Sequence, residues 1–376
     1  MPAANRYFYH LQKSMRPKFH ALKVSDIRRE TRDCVSVAFA VPAELKENYQ
    51  FQQGQYLTLR ETIDGEDLRR SYSICSGIND GELRVAVKEV KNGRFSSWVN
   101  RHLKAGHEMQ VMTPTGHFTS LLDAKNAKNY LLFAAGSGIT PIMSIAKSVL
   151  QTEPNSEVTL VFGNRLFHSI IFRDELENMK DRYLGRFRVF HVLSGEPNEV
   201  ELFSGRITQE KLEGFSKTFL QIEKADEIFV CGPEPIIRCV SEFMKSKGIE
   251  DNKVHFELFA TPGDGQPKKE TESEVETIAD TGKKCAVTVV FDGQETNFFM
   301  PMNGTALLDA AQQSGMDIPF SCKGGMCCTC RAHLSEGTAK MKVNYALEPG
   351  EVEMGYVLTC QAVPTSEKVT VDFDRH

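Results

Sequence analysis

The chain has 376 residues, 41% of them hydrophobic and 25% charged, with a formal net charge of −5. That length asks for two or three domains, and the composition suits globular protein with sizeable cores. The charge balance leaves no footprint for nucleic acid, and no apolar run approaches the roughly 18 residues that span a bilayer.

Residues 1–18 form an N-terminal extension, basic and aromatic in "MPAANRYFYH" and beyond, with no continuous apolar stretch of a secretory signal. Its lack of acidic residues would suit a mitochondrial presequence, but serine and arginine are sparse, and a simple tail fits better. Ten cysteines without a secretory signal point to a reducing compartment, the cytoplasm. There, clustered thiols bind metal or react more often than they staple.

Residues 19–122 are patterned as an all-β domain. The runs "DCVSVAFAV", "QYLTLRET", "LRVAVKEV" and "EMQVMTP" alternate apolar and polar residues. They lie between turns at Asp64-Gly65, Asp80-Gly81, Asn92-Gly93 and Thr115-Gly116, which predicts an antiparallel β-barrel. One short helix, "FSSWVNRHL", interrupts it. The run "RRSYSICS" sets Arg70, Ser71, Tyr72 and Ser73 at a strand end, with Arg70 and Tyr72 on one face. Arg70 suits a phosphate, Tyr72 the face of a planar ring, and Ser73 a hydrogen bond to that ring's reactive edge. An ordinary barrel strand is the plainer alternative. Next, "VKEVKNGRFSSWV" carries Val87, Lys88 and Val90, then Gly93, Arg94, Phe95 and Ser96 at the opening of the helix. A helix N-terminus suits a pyrophosphate, and Ser96 is expected as its N-cap, as a phosphate contact, or as both. Trp98 reads as core.

Residues 123–260 change period. "NYLLFAA", "EVTLVFGN", "FRVFHVLS", "EIFVCG" and "KVHFELF" read as buried strands. Helical stretches "TPIMSIAKSVL", "RDELENMK" and "EPIIRCVSEFMKS" lie between several of them, which predicts a doubly wound parallel α/β sheet. After the first strand, Gly136, Ser137, Gly138, Thr140 and Pro141 form a strand–loop–helix turn in which backbone can approach a pyrophosphate. Arg165 follows the second strand, where a basic residue favours a 2′-phosphate and so NADPH; a plain surface arginine is the alternative.

Residues 261–284 are polar, charged and rich in Gly and Pro, and read as an interdomain linker. Residues 285–376 show a hairpin turning at Asp292-Gly293, a helix around "TALLDAAQQSG", the loop "SCKGGMCCTC" and a last strand "KVTVDF". This is a small α+β domain. Cys322, Cys327 and Cys330, with Cys360 far downstream, have the C-x4-C-x2-C…C spacing of a [2Fe–2S] site. Zinc is the rival metal, but it usually wants a second C-x2-C pair, which is missing. Gly324 and Gly325 are expected to supply the freedom that a tight loop needs. Cys328 does not fit the spacing and reads as a spare thiol, and Cys34, Cys75, Cys239 and Cys285 as small core residues.

The cysteine loop and its surroundings resemble plant-type ferredoxins, which implies a β-grasp fold. A one-electron cluster beside a nucleotide-binding pattern asks for a flavin, which turns a hydride into single electrons. The "RxYS" and "GxxS" pair resembles the ferredoxin–NADP reductase superfamily, whose shorter G-x-G-x-x-P loop also matches. That resemblance implies FAD in the barrel and NAD(P)H in the α/β domain. It also implies that Cys231 lies beside the nicotinamide, with Gly232 and Pro233 bounding the dinucleotide path. Glu257 and Phe259 match residues that line the flavin; Leu258 stands where relatives carry arginine. The domain order resembles the reductase components of multicomponent oxygenases; reductases of phenylacetyl-CoA epoxidases and of 3-ketosteroid 9α-hydroxylases share it. The implied function is NAD(P)H-dependent electron transfer through FAD and a [2Fe–2S] cluster to an oxygenase partner. Ser73, Cys231 and Glu257 are then the residues nearest the chemistry. An iron–sulfur redox sensor is the rival reading.

Overall fold

A computed structural model describes residues 17–259 and 283–375. Most of the expected linker and nearly all of the N-terminal extension lie outside the described residues. The chain divides into two compact bodies.

In the first body, six strands form one sheet in the order β4-β3-β6-β1-β2-β5. They are β1 (Phe19–Thr31), β2 (Cys34–Ala40), β3 (Tyr56–Ile63), β4 (Glu66–Ser73), β5 (Leu83–Lys88) and β6 (Glu108–Met112). The pairs β1/β2, β2/β5 and β3/β6 are antiparallel. A bridge between Ile74 and Val85 joins the end of β4 to β5 and closes the sheet into a barrel. Asp64 and Gly65 turn β3 into β4 with φ of 53° and 80°, both left-handed as a two-residue hairpin requires. Leu22, Val37, Leu57, Leu59, Val85 and Val87 fill the interior. Helix α1 (Arg94–His102) adds Phe95 and Val99.

The second sheet is parallel, with order β11-β10-β7-β8-β9. It comprises β7 (Asn129–Ala135), β8 (Glu157–Asn164), β9 (Phe187–Leu193), β10 (Glu227–Gly232) and β11 (Val254–Leu258). Its inner strands are near-continuous apolar runs because helices cover both faces. Those helices are α2 (Ile139–Thr152), α3 (Arg173–Arg182), α4 (Gln209–Thr218) and α5 (Glu234–Ser246). Strand order reverses between β7 and β10, so a crevice opens at their carboxyl ends. Barrel and sheet share a core: Cys34, Cys75, Ala86, Phe118 and Leu122 pack in one cluster with Tyr130, Ile142 and Phe229. Phe118 meets Phe229 edge-on at 5.2 Å.

In the second body, β12 (Lys284–Phe291) and β13 (Gln294–Pro301) form a hairpin. Asp292 and Gly293 turn it at φ of 55° and 72°. Strand β12 also pairs, in parallel, with β18 (Lys368–Asp372). With β14 (Arg331–Glu336) and β16 (Tyr356–Leu358), the order is β13-β12-β18-β14-β16. Helix α6 (Leu307–Gln313) buries Leu307, Leu308 and Ala311 against Val287, Val289, Leu358 and Val369. A mixed sheet wrapped on one helix is the β-grasp arrangement. Two short strands, β15 (Ala339–Met341) and β17 (Ala362–Pro364), and a turn of helix, α7 (Pro349–Glu353), complete it.

Candidate functional site

The barrel motifs converge at the end of β4. Tyr72 lies against Phe95, centroids 5.9 Å apart and rings tilted by 31°, so the "RxYS" strand touches the opening of α1. Arg70 is exposed, and its Nη1 donates to the Arg69 carbonyl at 2.7 Å. Arg94 is already engaged: Nη1 lies 2.5 Å from Glu66 Oε2, and Nη2 donates to the Ile63 carbonyl at 3.0 Å. It clamps the β3–β4 turn, and a phosphate there would compete with two carboxylates, Glu66 and Asp64.

Several expectations need correction. Ser96 is not the N-cap of α1; Gly93 is, without a side-chain cap. The Ser96 hydroxyl instead turns back to the preceding loop, accepting from Val90 N at 3.0 Å and donating to the Gly93 carbonyl at 3.3 Å. Val87 is fully buried in the barrel core, and its carbonyl accepts from Asn100 at 3.0 Å. Lys88 is half-buried, 3.8 Å from Asp33. Trp98 packs against the barrel core as expected, though it is only partly covered, and meets His107 edge-on at 5.4 Å.

Across the crevice, Gly136 has φ of 53°, and a side chain there would point into open space. Gly138 is the opposite case. A Cβ on it would lie 2.2 Å from the Cys231 carbonyl oxygen, so the loop after β7 rests directly on the end of β10. Thr140 is buried, and its hydroxyl donates to the Ser137 carbonyl at 3.1 Å, which shapes the loop. Pro141 is the third residue of α2, where a missing N–H loses nothing. Strand register sets Cys231 opposite Glu257, and Phe259 N donates to the Gly232 carbonyl at 2.9 Å. Pro233 is exposed at the start of α5. Arg165, exposed at the end of β8, lays its stem against Gly195.

At the crevice the "RxYS" strand reaches β11 through a hydrogen bond. Ser73 Oγ donates to Glu257 Oε2 at 3.3 Å. Burial pushes the Glu257 carboxyl up to about 8, against the opposing pull of the Ser73 hydroxyl. Burial, with Glu257 close by, likewise holds the Cys231 thiol well above its ordinary value.

In the second body the four thiols form two pairs. Cys327 and Cys322 lie 3.2 Å apart, Sγ to Sγ, and Cys330 shares a hydrogen bond with Cys360. The Cys322 sulfur faces the amides of Gly324, Met326 and Cys327, with Gly324 N at 3.4 Å. The thiol of Cys327, and then those amides, draw the Cys322 thiol down to about 6. The Cys360 sulfur takes the Gly325 amide and Gln361 Nε2, the latter at 3.7 Å. Two thiol pairs with amides aimed at sulfur fit two irons that each want two thiolates, and suit zinc less well. The glycines are used differently from the expectation. Gly325 is left-handed at φ of 72°, with Val343 O 2.9 Å from where a Cβ would sit, but the second left-handed residue is Lys323, not Gly324. The spare thiol, Cys328, donates to the Ala346 carbonyl at 3.3 Å. Cys34, Cys75 and Cys285 are buried as expected, while Cys239 is only half-buried.

Comparison with known proteins matches three family models in chain order. They are the oxidoreductase FAD-binding domain over residues 21–120, the oxidoreductase NAD-binding domain over 132–242, and the 2Fe-2S iron-sulfur cluster binding domain over 289–365. One of the subunits of 1,2-phenylacetyl-CoA epoxidase from Escherichia coli is 42% identical over 356 residues, 95% of this chain and 98% of that protein. The chain belongs to the reductase components of multicomponent oxygenases. The ferredoxin reductase component of Rhodococcus rhodochrous 3-ketosteroid-9-alpha-monooxygenase is 34% identical to this reductase, over 94% of this chain and 96% of that one. Phthalate dioxygenase reductase, at 23% identity and a TM-score of 0.56, covers 94% of this reductase and shares its fold. The reductase therefore has FAD, NAD and [2Fe–2S] domains, and an oxygenase is its partner. Among the described residues no helix is long and apolar enough to cross a membrane.

Proposed function

We propose that this reductase takes its electrons from NAD(P)H and delivers them to the oxygenase of a phenylacetyl-CoA epoxidase. The identity of 42% to a component of such an enzyme supports that partner over a steroid hydroxylase, whose reductase stands at 34%. The chemistry that FAD and the cluster supply when bound is the conversion of one hydride from NAD(P)H into two single electrons.

The chain's own residues prepare that chemistry. The contact between Ser73 and Glu257 carries the reading, because it joins the "RxYS" strand to the crevice at the carboxyl ends of β7 and β10. Arg70 would hold a flavin phosphate, Tyr72 would pack on the ring system, and Ser73 would bond its reactive edge. Glu257, protonated near neutral pH, keeps a negative charge away from that edge. Gly136 and Ser137 would take the coenzyme pyrophosphate, and Cys231, held as a thiol, would sit beside the nicotinamide. Cys322 with Cys327, and Cys330 with Cys360, would each hold one iron. Arg165 would meet a 2′-phosphate, so NADPH is the coenzyme this reading favours. Ten free thiols accord with a cytoplasmic setting.

The test is anaerobic titration of the purified protein with NADH and, separately, NADPH, followed by absorption. Flavin and iron–sulfur bands that bleach together, taking more than two electrons per chain, are expected. Reduced protein should then drive epoxidation by added phenylacetyl-CoA epoxidase oxygenase. A cluster that stays oxidised while the flavin is reduced would overturn the relay. Electrons accepted by a steroid hydroxylase but not by the epoxidase would overturn the partner.

A further inference from the structure

Helix α2 carries a polar stripe that none of these roles uses. Ser144, Lys147, Ser148, Gln151 and Thr152 recur at three- and four-residue spacing and so share one face. Such a face on a sheet-covering helix ordinarily meets water. Here Ser144 and Ser148 are fully buried, and Lys147 is 8% exposed.

All five side chains grip the loop at residues 76–80. Ser144 Oγ donates to the Ser76 carbonyl at 2.7 Å, and Ser148 Oγ accepts from Ile78 N at 3.1 Å. Asp80 receives Lys147 Nζ at 3.0 Å and Gln151 Nε2 at 2.6 Å, and its own loop adds Gly77 N at 2.8 Å. Asn79 Nδ2 reaches Thr152 Oγ1 at 3.4 Å. Lys147 also pairs with Glu175 of α3 at 2.5 Å. A Cβ on Gly77 would come within 2.9 Å of Lys147 Cβ, so loop and helix are in direct contact.

The placement of this grip matters. The loop is the continuation of β4, three residues beyond Ser73. The helix is the continuation of the Gly136–Gly138 turn. The shared apolar core would hold barrel and sheet together in many registers, whereas hydrogen bonds are directional and permit few. Burying an ammonium beside the partly buried Asp80 is warranted when it selects one arrangement among several.

We infer that this stripe, with Asp80 at its centre, is a positioning device that sets the flavin held by the barrel against the nicotinamide held in the crevice. The inference rests on the flavin and nicotinamide sites proposed above. These residues touch neither cofactor. They act through Ser73 on one side and Gly136–Gly138 on the other, and a misplacement of about 1 Å between reacting atoms slows a reaction roughly 100-fold.

Asp80→Asn keeps the shape and removes the charge, and Ser144→Ala removes one hydrogen bond, so the two give a strong and a mild variant. Both are examined as FAD-loaded protein by hydrogen exchange, coenzyme binding and stopped-flow flavin reduction. Expected for Asp80→Asn are exchange at Gly77 and Ile78 at least tenfold faster and flavin reduction about tenfold slower. FAD content should hold, and the coenzyme Kd should change less than twofold. Ser144→Ala should show the same pattern at about threefold, and it decides the matter if Asp80→Asn does not fold. Faster loop exchange with unchanged flavin reduction would overturn the inference. So would a slowing matched by an equal loss of coenzyme affinity. Failure of the unsubstituted protein to accept electrons from either coenzyme would instead strike the site assignment.

Discussion

Two loops, the ones proposed above to meet the coenzyme and the cluster, are built by opposite means. The turn at Gly136–Gly138 is shaped by what lies beneath it: Gly138 rests on the Cys231 carbonyl, and Thr140 ties the loop to itself. Nothing more is needed to preform it. The loop from Cys322 to Cys330 is hung from distant segments. Gln361 donates to the Lys323 carbonyl at 2.8 Å, Tyr345 N to the Gly325 carbonyl at 3.0 Å, and Cys328 to the Ala346 carbonyl. Cys322 and Cys327 lie together within the loop, and Cys330 faces Cys360 beyond it. The first loop depends on excluded volume, the second on its ligand, since metal-binding energy becomes folding energy.

That contrast breaks most visibly at Cys330→Ala. The variant should lose most of its iron and its iron–sulfur absorption, and reduce an external acceptor at least ~100-fold more slowly. Flavin reduction by coenzyme should stay within about twofold, because the other loop is built without metal. Full iron content in the purified variant would refute the ligand assignment. Next comes Gly138→Ala. A methyl group 2.2 Å from the Cys231 carbonyl must push β7 and β10 apart, destabilising the fold by about 3 kcal/mol in urea melts. Gly136→Ala, with open space but φ of 53°, should destabilise by only about 1 kcal/mol. Equal effects at the two positions would end the excluded-volume account.

In the cluster loop the same comparison is sharper. Gly325→Ala meets both a left-handed φ and the Val343 carbonyl, and should lower thermal stability and iron retention together, at about 2 kcal/mol. Gly324→Ala needs only the flexible end of Met326 to move, and should cost about 0.5 kcal/mol or less. A pH-dependent effect belongs to Glu257. Its folded value of about 8 lies above the ordinary 4.5, so between those pH values the folded chain holds a proton that the unfolded chain has released. Stability contributed at low pH is therefore lost as pH rises through that window. Urea melts of Glu257→Gln at pH 5.5 and 8 should show a shallower fall than the unsubstituted protein. Identical slopes would mean that the carboxylate ionises freely.

Much of this was legible before any coordinates. Strands β7, β8 and β10 stand out because both of their faces are buried, and the cysteine spacing states the cluster's needs outright. What escaped has physical reasons. Strand β1 alternates cleanly only at Leu22 and Val24 before the charged "DIRRET", so its second half looks like loop although it pairs with β2. Helix α4 buries just Leu212 and Phe215, too few to show a period. Ser96 sits where an N-cap is expected, but its short side chain bonds backwards to Val90. The buried face of α2 was unreadable, because Ser144, Lys147 and Ser148 look like the solvent side of an amphipathic helix. Only the loop packed on them reverses that meaning.

The parallel pairing of β12 with β18 has a consequence for how this protein is made. The first strand of the cluster domain has no inner neighbour until Lys368–Asp372 has been synthesised. The barrel and the parallel sheet can fold while translation continues, each from segments already made. The cluster domain waits, with Cys322, Cys327, Cys330 and Cys360 all made before its sheet can close.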